Sequence, residues 1–499
     1  MRLRLIILSV LCGLTSLHAF ERREVNLDYV TGLARELAAQ PYVPAKPELP
    51  PELAALDFDG YRKIRFNKDK ALWKTANLPF QVDFFHNGYI FPETVEIFEY
   101  SNTHTQQIPY VKDFFNFDIN GINPDEWDLQ GYAGLRVRTP LNKPDVFDDV
   151  LVFQGASYFR ALGRDQYYGL SARGLAIGTG GPNEEFPRFS RFWLKKPASD
   201  ARSLEILALL EGQSVTGAYR FVLTPGENTQ VEVTARVFRR EGARGDIYFA
   251  PLTSMFWYGE ARDNHMGDWR PEIHDSDGLL IHNGDTWTWR PLTNYPGNHL
   301  TAFPVEQLHG FGLLQRDRDF NNYQDLSEHY HRRPSAWIQT RGQWPTGEVV
   351  LFEFHQDTET VDNMGAFFRP DTAPEAGQPY EIAYTVNFQL ADPDKSLNRV
   401  EATRIGSSWQ YEGATRFIID FSAPENFKPV EIRDLQANLS VEGAEIIQQA
   451  HIIYNTVTSG LRVHFDLRAD PDTELANLKL QLTKADKPLS ETWVYQWRP

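Results

Sequence analysis

The chain has 499 residues, a formal net charge of −17 at pH 7 and one cysteine, Cys12. The acidic charge disfavours binding to nucleic acid or to an anionic membrane, because both are negatively charged themselves. With a single cysteine, the fold cannot rest on disulfides or on a zinc site built from thiolates. The length allows more than one domain, each with its own hydrophobic core.

The first nineteen residues have the pattern of a secretory signal peptide. Arg2 and Arg4 precede an apolar core over residues 5–17, and Ala19 ends a suitable cleavage site. A leucine separates the two arginines, so the signal is not of the twin-arginine type. We expect export with cleavage after Ala19, and no membrane insertion, because the apolar run is shorter than a membrane span.

One helix and many strands are predicted for the following part of the chain. Residues 27–39 place apolar side chains on one helical face behind an Asn26 N-cap, and a second short helical piece is expected over residues 68–74. From about residue 81 the period changes to two, which is typical of half-buried strands separated by turns. Such strands are predicted at residues 82–84, 95–100, 135–138 and 231–237. A strand-like run covers 348–354, an apolar run covers 365–368, and a last strand of this domain is predicted at 380–390. Without an alternating strand–helix rhythm, the pattern predicts an all-β fold, with a large antiparallel β-sandwich as the domain of residues 20–390.

A second, smaller domain is predicted at the C-terminus. Residues 391–399 are polar and contain proline, which is typical of a linker. Within residues 400–499, short strands are predicted at 417–421, 435–441, 445–453, 461–467, 478–482 and 492–497. Their spacing indicates an immunoglobulin-like β-sandwich without the usual disulfide. We find no catalytic motif in it and predict an accessory domain.

Two acidic clusters are the candidates for chemistry. One, between two apolar runs, contains Asp357, Glu359 and Asp362, and the other contains Asp275 and Asp277. Acid/base cleavage of a glycosidic bond requires two carboxyl groups, one to protonate the leaving oxygen and one to activate water. The alternative is that these residues simply form turns, which Asp, Asn and Thr favour.

Aromatic residues are concentrated in the same part of the chain. Six of the twelve tryptophans lie within residues 257–344, and eight of the thirteen histidines lie within residues 265–355. Rings beside Arg, Asp and Asn are typical of a sugar-binding cleft, because the C–H face of a sugar packs on a ring. The alternative is that the tryptophans fill a large β core. The histidines show no metal-binding motif, so no metal and no cofactor is expected.

Several longer motifs carry a family resemblance that spans residue 25 to the C-terminus. They are GASYFR at 155–160, YGLSARGLAI at 168–177, IHDSDGL at 273–279, GFGLLQRDRDF at 310–320, YQD at 323–325, RPS at 333–335 and ETWVY at 491–495. These segments are similar to signatures of the periplasmic glucan biosynthesis family, the G and D proteins. The resemblance implies a galactose-mutarotase-like β-supersandwich followed by an immunoglobulin-like domain, with a signal like that of the G branch. It also implies work on osmoregulated periplasmic glucans with a β-1,2-linked backbone, as an inverting β-1,2-glucanase or a transglycosylase.

The resemblance further implies roles for individual residues. Asp362 matches the family's general acid, Glu359 the glutamate beside it, and Asp275 the aspartate on the water-activating side. The expected substrate-binding residues are Tyr158, Arg160, Arg173, His274, Tyr323, Arg333 and Trp337. The implied partners are β-1,2-glucan and the inner-membrane glucan synthase, and the implied location is the periplasm. A non-catalytic glucan-binding or assembly protein of the same pathway remains the alternative.

Overall fold

The computed structural model describes residues 24–45, 49–102, 104–119, 123–261, 267–393 and 397–499. The predicted signal peptide, with Cys12, lies outside the described residues. Strands dominate the described part, which confirms the all-β prediction. In these ranges we find no helix that is both long enough and apolar enough to span a membrane.

The helices are short and mostly lie in the N-terminal part. The α-helices are α1 (Leu27–Ala38), α2 (Pro51–Ala54), α3 (Phe58–Tyr61) and α4 (Phe320–Tyr323). Single 3₁₀ turns occur at Lys68–Lys70, Lys112–Phe114, Pro124–Glu126, Tyr330–Arg332 and Pro429–Asp434.

The strands follow one another along the whole described chain. In the first half they are β1 (Ile64–Phe66), β2 (Gln81–Phe85), β3 (Glu96–Tyr100), β4 (Thr105–Ile108), β5 (Phe115–Phe117), β6 (Gly134–Pro140), β7 (Phe147–Gln154), β8 (Tyr158–Ala161), β9 (Ser171–Arg173), β10 (Leu175–Ile177), β11 (Arg188–Lys195), β12 (Leu204–Glu211), β13 (Val215–Thr224), β14 (Thr229–Arg239), β15 (Ile247–Ser254) and β16 (Phe256–Tyr258). They continue as β17 (Ile273–His274), β18 (Gly278–Asn283), β19 (Thr286–Pro291), β20 (Asn298–Val305), β21 (Leu308–Leu314), β22 (Ser335–Thr340), β23 (Gly347–Phe354), β24 (Met364–Pro370) and β25 (Pro379–Gln389). The C-terminal strands are β26 (Val400–Ser407), β27 (Thr415–Phe421), β28 (Leu435–Glu442), β29 (Ala444–Asn455), β30 (Gly460–Ala469), β31 (Ala476–Lys484), β32 (Lys487–Pro488) and β33 (Thr492–Trp497).

Two large sheets form the main body. A ten-stranded sheet has the order β2-β6-β7-β8-β9-β15-β24-β23-β20, with β10 paired to β15. A fifteen-stranded sheet has the order β28-β31-β33-β19-β18-β21-β22-β25-β14-β13-β12-β11-β3-β4, with β32 on β31. Neighbours in these two sheets are antiparallel, except the parallel pairs β3 with β11 and β19 with β33. The two sheets stack face to face, as the ring centroids of Phe153 in β7 and Phe221 in β13 lie 5.1 Å apart.

The alternation along the strands explains why the sheets stack. In β14, Val231, Val233, Ala235 and Val237 are buried, and the residues between them are polar. These side chains point to one face because successive residues of a strand point to opposite faces. Burying each such side chain contributes about 1.5–3 kcal/mol, so the shared core holds the two sheets together.

The C-terminal part adds a smaller sandwich to one end of the fifteen-stranded sheet. A four-stranded sheet, β26-β27-β30-β29, packs against β28, β31 and β33 around a second hydrophobic core. Strand β33 pairs in parallel with β19, with Thr492 opposite Thr288 and Trp493 opposite Trp289. Because this pairing joins the two parts in one sheet, the division into two domains stays a prediction.

The N-terminal elements confirm one prediction and correct another. Helix α1 begins after Asn26, whose side chain accepts a hydrogen bond from the Tyr29 N–H at 2.9 Å, as an N-cap does. The predicted helical piece over residues 68–74 is only the turn Lys68–Lys70. It cannot continue, because Trp73 adopts a left-handed backbone with φ 69° and a buried ring.

Candidate functional site

An open cleft of about 570 Å³ lies beside β7, β8 and β9. Tyr158 and Arg160 share one face of β8, while Phe159 between them is only 1% exposed and belongs to the core. The lining residues are Ile90, Phe91, Val152, Gln154, Gly155, Ala156, Tyr158, Phe159, Arg160, Tyr168, Ser171 and Asp362. Tyrosine rings, a guanidinium and a carboxyl group thus meet at one opening, a combination suited to a polar ligand with an apolar face.

The loop between β23 and β24 carries Asp362 to this cleft. The two strands are antiparallel neighbours, and Glu353 lies opposite Met364 at the loop ends. Asn363 is fully buried and fixes the end of the loop. Its Nδ2 donates to the carbonyls of Phe256 and Phe354 at 3.0 Å each, and its Oδ1 accepts from the Phe256 N–H at 2.9 Å. Asp362 therefore precedes an anchored residue and has a defined position.

Asp362 is a carboxyl group at the cleft wall with a perturbed pKa. Its side chain is 30% exposed, and its Oδ2 lies 3.6 Å from Nη2 of Arg160. Burial among its neighbours raises the pKa of the Asp362 carboxyl above its ordinary value. The Arg160 charge opposes this rise, and the Asp275 charge adds to it. Asp362 therefore keeps its proton to a higher pH than an ordinary aspartate.

Asp275 approaches the same site from the segment between β17 and β18. It is 4% exposed, and its backbone N–H donates to the Met255 carbonyl at 2.8 Å. Arg333 forms an ion pair with it, through Nη1 and Oδ1. The charges of both Asp275 and Arg333 act on the pKa of Asp362, although 87 residues separate the two aspartates in sequence. Asp275 itself is not among the residues that line the cleft.

Glu359 is held by contacts that the sequence did not suggest. Arg270 pairs with both of its oxygens, at 2.8 Å and 3.0 Å, and the Tyr330 hydroxyl donates to it. The same guanidinium pairs with Asp325 at 2.9 Å and with Asp268 at 2.8 Å. One arginine thus ties the loop of Glu359 to two other segments, because its planar fork offers several fixed donors.

The other predicted substrate-binding residues divide into two groups. Tyr158 and Arg160 line the cleft, and Arg333 holds Asp275. Arg173 lies behind Tyr158, with its guanidinium carbon 5.0 Å from the centre of that ring. Of these four residues, Arg160 lies beside Asp362 and Arg333 beside Asp275.

His274, Tyr323 and Trp337 do not line the cleft. His274 is 1% exposed and is bonded through its two ring nitrogens to Glu272 and Gln315. Tyr323 is fully buried, and its hydroxyl donates to the Asp317 carbonyl. Trp337 belongs to the second hydrophobic core. In each case the physical reason is the same: the side chain finds its partners inside the protein.

The six tryptophans of residues 257–344 occupy different environments in the fold. Trp287, Trp289, Trp337 and Trp344 are buried, in agreement with the core-filling alternative. Trp257 is half-buried. Trp269, in contrast, is 68% exposed. Among these six, Trp269 alone presents most of its ring to solvent.

A separate acidic group lies away from the cleft. Carboxylate oxygens of Glu260, Glu272 and Asp317 lie within 4.8 Å of one another, a spacing that suits a metal ion. Glu272 is buried and is the partner of His274, whereas Glu260 and Asp317 are partly exposed. The sequence offered no signal for it, because the three residues are not close in the chain.

Comparison with known proteins gives the family. The family model described as "Periplasmic glucan biosynthesis protein, MdoG" matches residues 25–497. Proteins called glucans biosynthesis protein G are similar over almost their whole length. The one from Rhodopseudomonas palustris is 41% identical, covering 94% of this chain and 92% of its own. The one from Ralstonia nicotianae is 40% identical, covering 95% and 96%, and that from Dickeya dadantii is 38% identical, covering 99% and 96%. The resemblance predicted from the motifs is therefore confirmed, and the chain belongs to the periplasmic glucan biosynthesis protein family.

Proposed function

We propose that this protein acts on the β-1,2-glucan backbone of osmoregulated periplasmic glucans, by inverting hydrolysis or by transglycosylation. The observation that supports this most is Asp362: a carboxyl group with a raised pKa at the wall of an open cleft. A general acid must carry a proton near the working pH, which an ordinary aspartate does not do at neutral pH.

In the proposed reaction, Asp362 donates its proton to the glycosidic oxygen as the bond from that oxygen to the anomeric carbon breaks. A water molecule attacks the same carbon from the opposite face, which inverts its configuration. Asp275 accepts the proton of that water, directly or through sugar hydroxyls and further water. In transglycosylation a hydroxyl of a second glucan takes the place of the water. Glu359, fixed by Arg270, positions the loop that carries Asp362.

The cleft residues bind the sugar units in this proposal. Arg160 offers guanidinium donors to hydroxyls, and the ring of Tyr158 offers a face to the C–H groups of a glucose unit. Arg173 acts behind them, because its contact with the Tyr158 ring fixes the position of that face.

The family description names periplasmic glucan biosynthesis, which supports a periplasmic location. We propose that residues 1–19 are a signal peptide removed after Ala19, and that the inner-membrane glucan synthase supplies the polymer. The large domain of residues 20–390 would carry the site, and residues 400–499 would form the accessory domain behind the linker 391–399.

A second candidate function is glucan binding without catalysis. It is favoured by one specific observation: Asp275 and Glu359 are already paired with Arg333 and Arg270. Ion pairs of this kind also stabilise a binding site that performs no chemistry. The cleft, Tyr158 and Arg160 would serve both functions.

The deciding experiment is incubation of the purified protein with linear β-1,2-glucan. Hydrolysis is expected to give shorter chains whose new reducing ends first have the α configuration, as observed by NMR. Transglycosylation is expected to change the chain lengths without a net increase in reducing ends. Binding of the glucan with no change in products would favour the second candidate, and the Asp362→Asn variant serves as the inactive reference.

A further inference from the structure

A second, small cavity lies where the main body meets the C-terminal sandwich. Its volume is about 30 Å³, which is room for a single water molecule or ion. It is lined by Phe256, Gly259, Glu260, Ala261, Glu272, His274, Asp277, Trp289, Pro291, Leu292, Glu401, Ala402 and Thr403. Three of these side chains end in carboxyl groups from the main body, and Thr403 belongs to β26 of the C-terminal part.

The carboxyl groups converge on this space. Oxygens of Glu260, Glu272 and Asp317 lie within 4.8 Å of one another, and Asp277 lines the same cavity. Glu272 is 6% exposed. Carboxylates so close to one another repel, and a buried one such as Glu272 stays charged only when it is paired or binds a cation.

Two basic residues beside these carboxylates already have partners. The His274 ring contacts the Glu272 carboxylate at 2.9 Å and the Gln315 Oε1 at 2.7 Å. Arg316 is engaged by two other carboxylates, Glu491 at 2.7 Å and Asp392 at 2.9 Å. These contacts are not to Glu260 or Asp317.

An independent observation concerns Asp277. Its Oδ2 accepts hydrogen bonds from the backbone N–H groups of Arg316 at 2.7 Å and of Asp317 at 2.9 Å. Its Oδ1 is buried and has no hydrogen-bond partner among the described residues. A buried carboxylate oxygen without a donor is rare, because leaving it desolvated is unfavourable. A cation in the adjacent cavity would satisfy it.

We propose that Glu260, Glu272 and Asp317 bind one divalent cation beside this cavity, with Asp277, which lines the cavity, as a further ligand. The ligands are all carboxylate oxygens, which suits a hard cation such as Ca²⁺ or Mg²⁺ and not a thiolate- or imidazole-binding metal.

The position of the site gives the cation a structural role. Glu260 Oε1 accepts a hydrogen bond from the Thr403 N–H at 2.7 Å, which connects the site to the C-terminal sandwich. A cation that holds Glu260 in place therefore also strengthens the contact between the two parts. It binds the folded protein only, so it raises the melting temperature as its concentration increases.

The test uses the full chain, freed of metal with a chelator that is then removed. CaCl₂ and MgCl₂ are added separately, and binding is measured by calorimetry while the melting temperature is followed by circular dichroism. We expect one equivalent of Ca²⁺ or Mg²⁺ to bind per chain and the melting temperature to rise with its concentration. Absence of binding for both cations would overturn the proposal, and would mean that protons neutralise the carboxylates.

Variants locate the site. Glu260→Gln and Asp277→Asn keep the shape of each side chain and remove one charge, and each is expected to weaken cation binding at least tenfold. The control is Asp371→Asn, which removes a charge from an exposed acidic pocket at the end of β24. Equal binding by the Glu260, Asp277 and Asp371 variants would place the cation elsewhere and overturn the assignment. If a variant fails to fold, the stoichiometry measured on the parent protein still decides whether a cation binds.

Discussion

Nη2 of Arg160 lies 3.6 Å from Oδ2 of Asp362, close enough for charge attraction but beyond a direct hydrogen bond. The guanidinium is held in this position by its Nε, which donates to the Ser171 hydroxyl at 2.6 Å. A tighter pair would keep Asp362 ionised, whereas at this separation burial prevails and the pKa is raised. At this separation Asp362 can keep the proton that a general acid donates, and the Arg160 guanidinium can also contact a sugar hydroxyl.

Asp362→Asn is expected to abolish turnover without loss of glucan affinity. The amide has nearly the shape of the acid but donates no proton to the leaving oxygen, and general acid catalysis typically contributes about 10²–10⁴ in rate. Stability should not fall. Because the pKa of Asp362 is raised by folding, its stabilising contribution is present at low pH and is lost as pH rises through the folded pKa. Removing the charge should therefore leave the melting temperature at pH 7 equal or higher.

Asp357→Asn is the matched control for this measurement. Asp357 lies in the same loop, but its side chain is 75% exposed. Its contact within that loop is with the His355 ring, at 3.1 Å. Turnover and affinity are measured for both variants on the same substrate. Full turnover by the Asp362 variant would remove Asp362 from the mechanism. Equal losses in the two variants would point to a damaged loop and not to a lost acid.

Arg160→Gln is expected to move the pH dependence of catalysis. Removing the positive charge takes away an influence that lowers the pKa of Asp362, so this pKa rises further. The acid then stays protonated to higher pH, and the alkaline limb of kcat/KM shifts upwards. Loss of a sugar contact alone would lower kcat/KM at every pH but would not shift the pH at which kcat/KM falls. Arg164→Gln, at an exposed position outside the cleft, is the control, and an unmoved limb in the Arg160 variant would contradict the assignment.

Part of the fold could be predicted because several of its strands alternate apolar with polar residues. Val231 to Val237 in β14 and the strands of the C-terminal part follow a period of two, and the structure has strands at those places. Strand β26 escaped prediction. Only Val400 and Thr403 are buried in it, and apart from Ile405 its other positions carry polar or small residues, so the sequence lacks the alternating pattern.

The site could be predicted only in part, for a different physical reason. The motifs pointed to Asp362 and Asp275, but nothing local in the sequence indicates that Arg270 meets Asp325 and Glu359, which lie 55 and 89 residues further along. Aromatic composition was equally ambiguous. A tryptophan that fills a core and one that faces solvent have the same residue type, as Trp337 and Trp269 show.

Arg270→Ala is expected to lower the free energy of unfolding by about 3–5 kcal/mol, because it leaves largely buried carboxylates without their cation. Since the Glu359 side chain is 29% exposed, the lower end of that range is expected. Urea unfolding of the variant measures this. The control is Arg236→Ala: Arg236 also pairs with two carboxylates, but these are 81% and 56% exposed, and a loss of about 0–1 kcal/mol is expected. Similar losses for the two arginines would contradict the role given to Arg270.

Trp337→Ala is expected to destabilise the protein without changing glucan affinity. The ring is 5% exposed and packs against Trp287, with ring centroids 5.8 Å apart, in the core shared with the C-terminal part. Truncating a buried tryptophan typically costs about 3–5 kcal/mol. Thermal unfolding measures the loss, and glucan binding is compared well below the melting temperature. A weaker glucan affinity of the folded variant would show that Trp337 contributes to sugar binding.

Trp269→Ala is expected to have the opposite effect, with weaker glucan binding and unchanged stability. The residue precedes Arg270, whose guanidinium pairs with Glu359 in the loop of Asp362, and its ring is 68% exposed. A sugar unit that leaves the cleft on this side can pack on the indole ring. Contacts of this kind contribute about 0.5–1.5 kcal/mol beyond the area they bury, which corresponds to about a 2- to 10-fold change in affinity. The affinity for long β-1,2-glucan should fall by that factor, while kcat at saturation stays the same because no proton transfer involves the indole. Trp269→Phe keeps an aromatic face and should retain most of the affinity. Equal affinity of the Ala variant and the parent protein would show that the glucan does not pass over Trp269.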